Sequence, residues 1–378
     1  MVYASAFVLR VGARIISLPV NEDGLLGEFT STSTGGLGRY STEGPNYTYP
    51  ITDQLTSQNA VVVSGNSLFT VNPGSNTVSL FNIPKDDPTH PSLVGKPASS
   101  GGDFPVSVAY SHALHVACVL NGGNVAGIQC FKVDDRGLHL TGSFIPVDLN
   151  QTSPPHGPTN TASDIVFNPS STALFATIKG DFKGDGVVAG HFAALPVVNG
   201  QVVANPRVSR PPGFAFEWSI SFINDTTAAV SDPSIGAAFA TVAYPSLDIT
   251  FAKDLPVDRL PKSAVCWSEY SERFDALYFF DGYTGTVPVI DPKTGLHKYN
   301  MTAPVPEHPA HHPEGGLYDS VVAGTYLYVL GGTSQIHVFS LLGSRGNGKI
   351  PSVIQTKDLT SVGTRRGWQG MAAWPNGF

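Results

Sequence analysis

The chain has 378 residues, of which 40 are Gly and 30 Pro; 13% are charged, 41% are hydrophobic, and the formal charge is −7. Charge this sparse excludes a coiled coil or an acidic disordered chain, and the apolar content excludes low-complexity disorder. The dispersed Lys and Arg residues make no basic field for phosphates, so nucleic acid is not an expected partner, and no apolar run of about 18 residues is present to span a bilayer.

In chain order, Met1 to Val8 lacks the basic region and long apolar run of a signal peptide and reads as a first strand. Beyond it, segments free of Gly and Pro stay short, alternate, and are rich in Val, Ile, Thr, Phe and Tyr, which predicts strands throughout. A two-strand unit recurs at 59–63 with 76–81, 104–109 with 114–121, 162–167 with 173–177, 218–222 with 228–232, 265–269 with 276–281, and 317–322 with 326–331. A seventh copy is split, with 370–374 supplying its first strand and 2–7 plus 13–18 the rest. Spacings of about 52 residues and a unit shared between the ends predict an all-β fold. It is a seven-bladed β-propeller over 1–378, a single domain whose N- and C-terminal segments share one blade. The Pro-rich stretches 84–105, 196–213 and 304–313 read as loops between blades.

Cys118 and Cys130 flank a Gly-Asn loop symmetrically, so on neighbouring strands they are either a disulfide or two small buried side chains. Cys266 reads as a buried small hydrophobe. Asn46, Asn150, Asn224 and Asn300 head sequons and are potential N-glycan acceptors. Secretion, or residence in the lumen of the secretory pathway, is the expected location, with the leader removed.

In such a propeller each first strand lines the axis, and the loops leading into it converge with the second-strand turns on a funnel. Those positions give Phe104, Asn121, Thr161, Phe216, Trp218, Trp267, Tyr283, Glu314, Trp368 and Gln369 as a substrate-binding wall. This aromatic, amide-rich lining suits small apolar or aromatic organic molecules. His156, in a Pro-rich loop before an inner strand, is either a solvated loop histidine or a catalytic one. Glu217, between Phe216 and Trp218, is either a general acid of raised pKa or a salt-bridged structural residue. The tryptophans double as blade-packing residues. His308, His311 and His312 with Glu307 and Glu314 have metal-ligand identity, but Pro306, Pro309 and Pro313 break any regular spacing, so no metal is expected. No nucleophile elbow, Cys-His pair or phosphate loop is present, so no cofactor is expected.

The runs Gly102-Asp103-Phe104-Pro105-Val106-Ser107-Val108 and Pro155-His156-Gly157-Pro158-Thr159-Asn160-Thr161-Ala162-Ser163, with Leu174 to Thr177, Cys266-Trp267 and Gly370 to Trp374, resemble a known group. It is that of the fungal 3-carboxymuconate cyclase-like proteins of the lactonase seven-bladed propellers, and the likeness spans essentially the whole chain. It implies a catalytic His at His156, a carboxylate position near Ser231-Asp232-Pro233 filled by Asp232, and an Arg position near Asp281-Gly282-Tyr283 where no Arg stands. A substrate carboxylate or phosphate would then lose its bidentate partner.

Members of this fungal branch also resemble the hetero-Diels–Alderases of tropolone-sesquiterpenoid biosynthesis. The resemblance therefore implies a cofactor-free cyclase of fungal secondary metabolism, joining a quinone-methide-type diene to a terpene alkene by orientation alone. The alternatives are a lactone hydrolase or carboxymuconate-type cycloisomerase using His156 and Asp232, and a secreted glycoprotein that catalyses nothing.

Overall fold

The computed structural model describes residues 5–43, 52–257, 263–306, 315–344 and 349–375. Glu314, the 307–312 histidine and glutamate cluster and the Asn46 sequon lie outside these residues. The described chain is almost entirely strand and turn, with two 3-10 turns at Thr360–Val362 and Arg365–Gly367. None of its helices is long and apolar enough to cross a membrane.

Among the described residues, seven sheets hold four or five strands. Sheet I places Trp368–Trp374 innermost, beside Ser5–Val11, Arg14–Val20 and Thr30–Ser33, so strands from both ends of the chain pair within it. Sheets II to VII begin with inner strands Val61–Ser64, Pro105–Ser111, Ala162–Phe167, Ser219–Asn224, Val265–Ser271 and Leu317–Ala323. Each inner strand packs against the next in that order; Leu317–Ala323 meets Trp368–Trp374, which in turn meets Val61–Ser64. The ring of inner strands closes, and the fold is a β-propeller.

The local sequence explains the layering. Second strands such as Ala173–Ile178 and Ala276–Asp281 are buried at every position, because sheet faces lie against neighbouring sheets on both sides. The outer strand Ser352–Asp358 alternates exposed and half-buried residues. Hydrophobic cores sit between sheets: one joins Ile16 and Leu18 to Tyr328, Leu330 and Trp368, and another joins Val108, Cys118 and Phe131 to Leu174. Backbones approach so closely at the inner ring that a Cβ on Gly316 would sit 2.0 Å from the Gly282 carbonyl oxygen. Gly370, at φ +72°, marks the register shift opposite Leu9 and Arg10 and would drive a Cβ to 2.6 Å from the Val61 nitrogen.

Two expectations are corrected. The 76–81 segment does not pair with 59–63: Ser67–Asn72 lies between them as the second strand, set by the tight Gly65-Asn66 turn, and Thr77–Asn82 is third. The Pro-rich stretches 84–105 and 196–213 are not plain loops, since they carry the outer strands Ser92–Leu93, Ala98–Ser99, Gln201–Val202 and Arg207–Ser209. Outer strands leave one edge unpaired, where nearby Pro costs no ladder bond. Cys118 and Cys130 occupy directly paired positions and are joined as a disulfide, while Cys266 is free and buried.

Trp368 is fully buried on the strand that carries the C-terminal part of the chain into sheet I. Trp368→Ala is expected to cost about 3–5 kcal/mol, seen as a lowered urea midpoint with little change in m-value.

Candidate functional site

A closed ring of inner strands leaves a hole along its axis, and this chain fills much of that hole with its own backbone. Residues 52–57, leading into the inner strand of sheet II, are all buried. Ser57 Oγ donates to the Val106 carbonyl of sheet III at 2.9 Å, and the Gln58 amide N–H donates to the Ser163 carbonyl of sheet IV at 3.2 Å. Across the ring, Trp267 Nε1 donates to the Ser57 carbonyl at 3.0 Å, while the Gln58 side chain donates to the Ser268 carbonyl and accepts its N–H, both at 3.1 Å. Lys179 Nζ donates to the Thr56 carbonyl and lies 3.3 Å from Ser163 Oγ. A strap from sheet II thus bonds to sheets III, IV and VI.

Several buried charges surround it. Asp53, on the strap, accepts the N–H groups of Leu55 at 3.0 Å and Ser57 at 3.2 Å. Burial raises its pKa, opposed by those bonds and by the charges of Arg365 and Lys179. Asp319 accepts the Gly370 N–H at 2.8 Å, and burial together with the Asp53 charge holds its pKa well above the usual carboxylate range. Arg365 donates to the carbonyls of Gly331 at 2.6 Å and Trp368 at 3.0 Å, and its guanidinium lies 4.6 Å from the Tyr318 ring centre. Lys179 sits 3.7 Å from the Trp218 ring centre, and burial brings its pKa down to about 7 against the pull of Cys266, Asp53 and Asp164.

The predicted aromatic wall is in place but covered. Phe104, Phe216, Trp218, Trp267 and Trp368 are each less than 8% exposed, and Tyr283 is half-buried. Trp218 and Trp267 pack edge to face at 5.2 Å, and Trp267 meets Tyr318 at 4.7 Å. These rings pack around the strap or into the sheets and do not line an empty funnel. Thr161 donates to the Pro158 carbonyl and lies 3.3 Å from Thr56 Oγ1. Gln369 donates to the Arg366 carbonyl.

The turn positions tie the molecule together. Asp232 has no exposure and accepts from the N–H groups of Ala215, Phe216 and Ser234 and from Ser234 Oγ, at 2.6 to 2.8 Å. Asn121 donates to the carbonyls of Ser100 and Gly127, and Asp281 accepts from the Ala264 and Tyr283 N–H groups. All three clamp the loop entering their own sheet. Four donors already occupy the oxygens of Asp232, which the sequence offers as an acid-base residue. His156 is exposed, on a short bridge to Thr42–Glu43, with Nδ1 2.7 Å from Thr42 Oγ1.

Glu217, read from the sequence as either a general acid of raised pKa or a salt-bridged structural residue, is sealed in the fold. It is 1% exposed, and among the described residues it has no salt bridge and its Oε2 has no hydrogen-bond partner. Burial, reinforced by the Asp232 charge, raises its pKa to about 8.

Beyond the strap, an open cavity of about 300 Å³ lies among the far ends of the inner strands. Its polar lining comes from Gln58, Asn59, Ser221, Ser268 and Glu269, with Phe222 and Tyr270 among its aromatic walls, and no Lys or Arg lines it. Ser221 and Ser268 Oγ are 2.8 Å apart, and Ser268 is 2.7 Å from Ser219 Oγ, so hydroxyls run inward from the cavity. Glu269 accepts weakly from the Val322 N–H at 3.5 Å, and burial raises its pKa to about 8. Sequence reasoning passed over Glu269, Asp53, Asp319 and Arg365. The available signal was a carboxylate inside an otherwise apolar inner strand, as in Trp267-Ser268-Glu269-Tyr270 and Leu317-Tyr318-Asp319-Ser320.

No known family profile and no curated protein matches this sequence. Solved structures do match the fold. The periplasmic gluconolactonase of Pseudomonas aeruginosa shares 14% identity, with 98% of this chain and 99% of that one covered, at a TM-score of 0.63. Candidate 6-phosphogluconolactonases from Bacteroides uniformis and Bacteroides fragilis share 13% identity at TM-scores of 0.63 and 0.62, covering 98% of this chain and 99% and 98% of theirs. The likeness shows a shared β-propeller fold, and a fold alone does not assign chemistry.

Because Glu217 binds its proton more tightly folded than unfolded, it contributes stability that is complete below its unfolded pKa and is lost as pH rises through about 8. Glu217→Gln should therefore gain on the wild type between pH 5 and pH 8, by on the order of a few kcal/mol, in denaturant titrations at fixed pH values.

Proposed function

We propose that this chain is a hydrolase of uncharged, sugar-sized lactones, working in the open cavity at the far side of the strap. The observation that carries this is the placement of Glu269, a carboxyl of pKa about 8, beside hydroxyls and aromatic faces in a solvent-accessible cavity of about 300 Å³. The seven large sheets would then be the blades of a seven-bladed propeller, with the sheet built from both chain ends as the shared blade; the cyclic packing of inner strands supports that count. The lactonase-like neighbours support the reaction class at the level of the fold.

At neutral pH Glu269 is protonated and acts as general acid. Water held by the Ser221 hydroxyl and the Gln58 amide adds to the lactone carbonyl; the ring C–O bond then breaks, and the Glu269 proton goes to the departing alkoxide. The proton that the water loses restores Glu269, so lactone and water leave as one hydroxy acid. Phe222 and Tyr270 give faces for the apolar side of a sugar ring. The absence of Lys and Arg from the lining favours a neutral lactone over a phosphorylated one.

The cofactor-free cyclase, by contrast, needs two substrates against Trp218, Trp267 and Trp368, which are all buried, with Trp267 already bonded to the strap at Ser57. A secretory location is supported by the Cys118–Cys130 disulfide and by the exposed sequon residues Asn150 and Asn224.

Glu269→Gln is expected to lower kcat/KM for a neutral aldonolactone by about 10²-fold or more with the fold retained by circular dichroism. After subtraction of the hydroxide-driven background, wild-type activity should fall as pH rises through about 8, where the acid form is lost. His156→Ala should leave kcat/KM within about twofold, and a collapse there with Glu269→Gln silent would overturn the assignment.

A further inference from the structure

A second cavity, of about 280 Å³, opens between sheets III and IV, away from the axis. It lies between the strand Gly127–Asp134, with the end of Gly137–Pro146, and the strand His191–Val198 with its edge partner Arg207–Ser209. Ile128, Leu195 and Val208 give it an apolar interior. Three polar side chains meet there, Asp148, His191 and Arg210.

None of the three has a hydrogen-bond or ion-pair partner among the described residues. His191 is only 8% exposed, and a buried imidazole without a partner is costly unless something else satisfies it. Burial, helped by the Arg210 charge and opposed by Asp148, lowers its pKa to about 4, so at neutral pH the ring is uncharged and offers one donor and one acceptor. Arg210 is exposed at the mouth, where its fork can take a carboxylate through two parallel bonds. Asp148, exposed on the same rim, disfavours a second negative charge.

We propose that this inter-sheet cavity binds a monocarboxylate with an apolar chain or ring, its carboxylate on Arg210 and His191 and its body among Ile128, Leu195 and Val208. The site is separate from the axial cavity and does not depend on the lactonase assignment.

Isothermal titration calorimetry of the full chain with hexanoate, hexanamide and hexyl phosphate tests it. Hexanoate should bind saturably at one site, with hexanamide and hexyl phosphate each at least about tenfold weaker. Arg210→Gln, which alters an exposed side chain, should weaken hexanoate by about tenfold or more, and Ala193→Leu, which intrudes on the cavity, should abolish binding with the circular dichroism spectrum unchanged. No saturable hexanoate binding up to about 10 mM overturns the proposal, as does binding that survives both substitutions or that hexanamide matches. Should Ala193→Leu fail to fold, Arg210→Gln and the hexanamide comparison decide by themselves.

Discussion

The constraint on which the rest depends is the hole that a closed ring of inner strands leaves along its axis. Those strands point backbone and side chains inward, and a void there would forfeit contacts on every side. In this protein residues 52–58 fill it, and the bonds from Trp267, Lys179, Gln58 and Ser57 tie the filling segment to three sheets. Each bond contributes modestly in net terms, about 1 kcal/mol, yet each would leave a buried group unsatisfied if the strap withdrew. The strap therefore belongs to the fold, and the axis is divided into a filled half and an accessible one.

Burying that segment brings charges with it. Asp53 enters on the strap and finds Arg365 and Lys179, while Asp319 reaches the same region from sheet VII. Low dielectric penalises each ionised form, and opposite charges and backbone N–H groups offset the penalty only in part. The same balance leaves Glu217 and Glu269 protonated at neutral pH, since burial outweighs the Arg210 charge that opposes it at Glu217 and the single Val322 N–H that opposes it at Glu269. They differ in access: Glu217 is sealed beneath its neighbours, whereas Glu269 borders open space. Access, more than pKa, separates a carboxyl that can do chemistry from one that only titrates with unfolding.

The two cavities have unlike chemistry for reasons traceable to the sheets. At the axis, inner strands rich in Ser turn hydroxyls toward one another, which gives a polar cavity with aromatic rims. Between sheets III and IV, the third strands present Ile, Ala and Leu to each other, and polarity comes from His191 at the start of one of them, the loop at Asp148 and the edge at Arg210.

Much of the fold was legible in the sequence. Alternating Val, Ile and Phe runs punctuated by Gly and Pro identified strands, and their recurrence identified a propeller. The symmetric flanking of a turn puts Cys118 and Cys130 opposite each other, while the bond between them stays open until the paired strands show it. These are local or periodic properties, carried by neighbouring residues and by spacing. What lay beyond the sequence was which inward groups meet. Asp232 and Asn121 looked like funnel residues because their positions recur at strand ends, but only the folded loops show the Asp232 oxygens and the Asn121 amide nitrogen already occupied as clamps. Likewise the segment 52–58 carries no periodic signal, and its place on the axis follows from long-range contacts with residues such as Val106, Ser163 and Trp267. Composition and period determine what kind of sheets form; the occupancy of the space they enclose is settled only when distant segments compete for it.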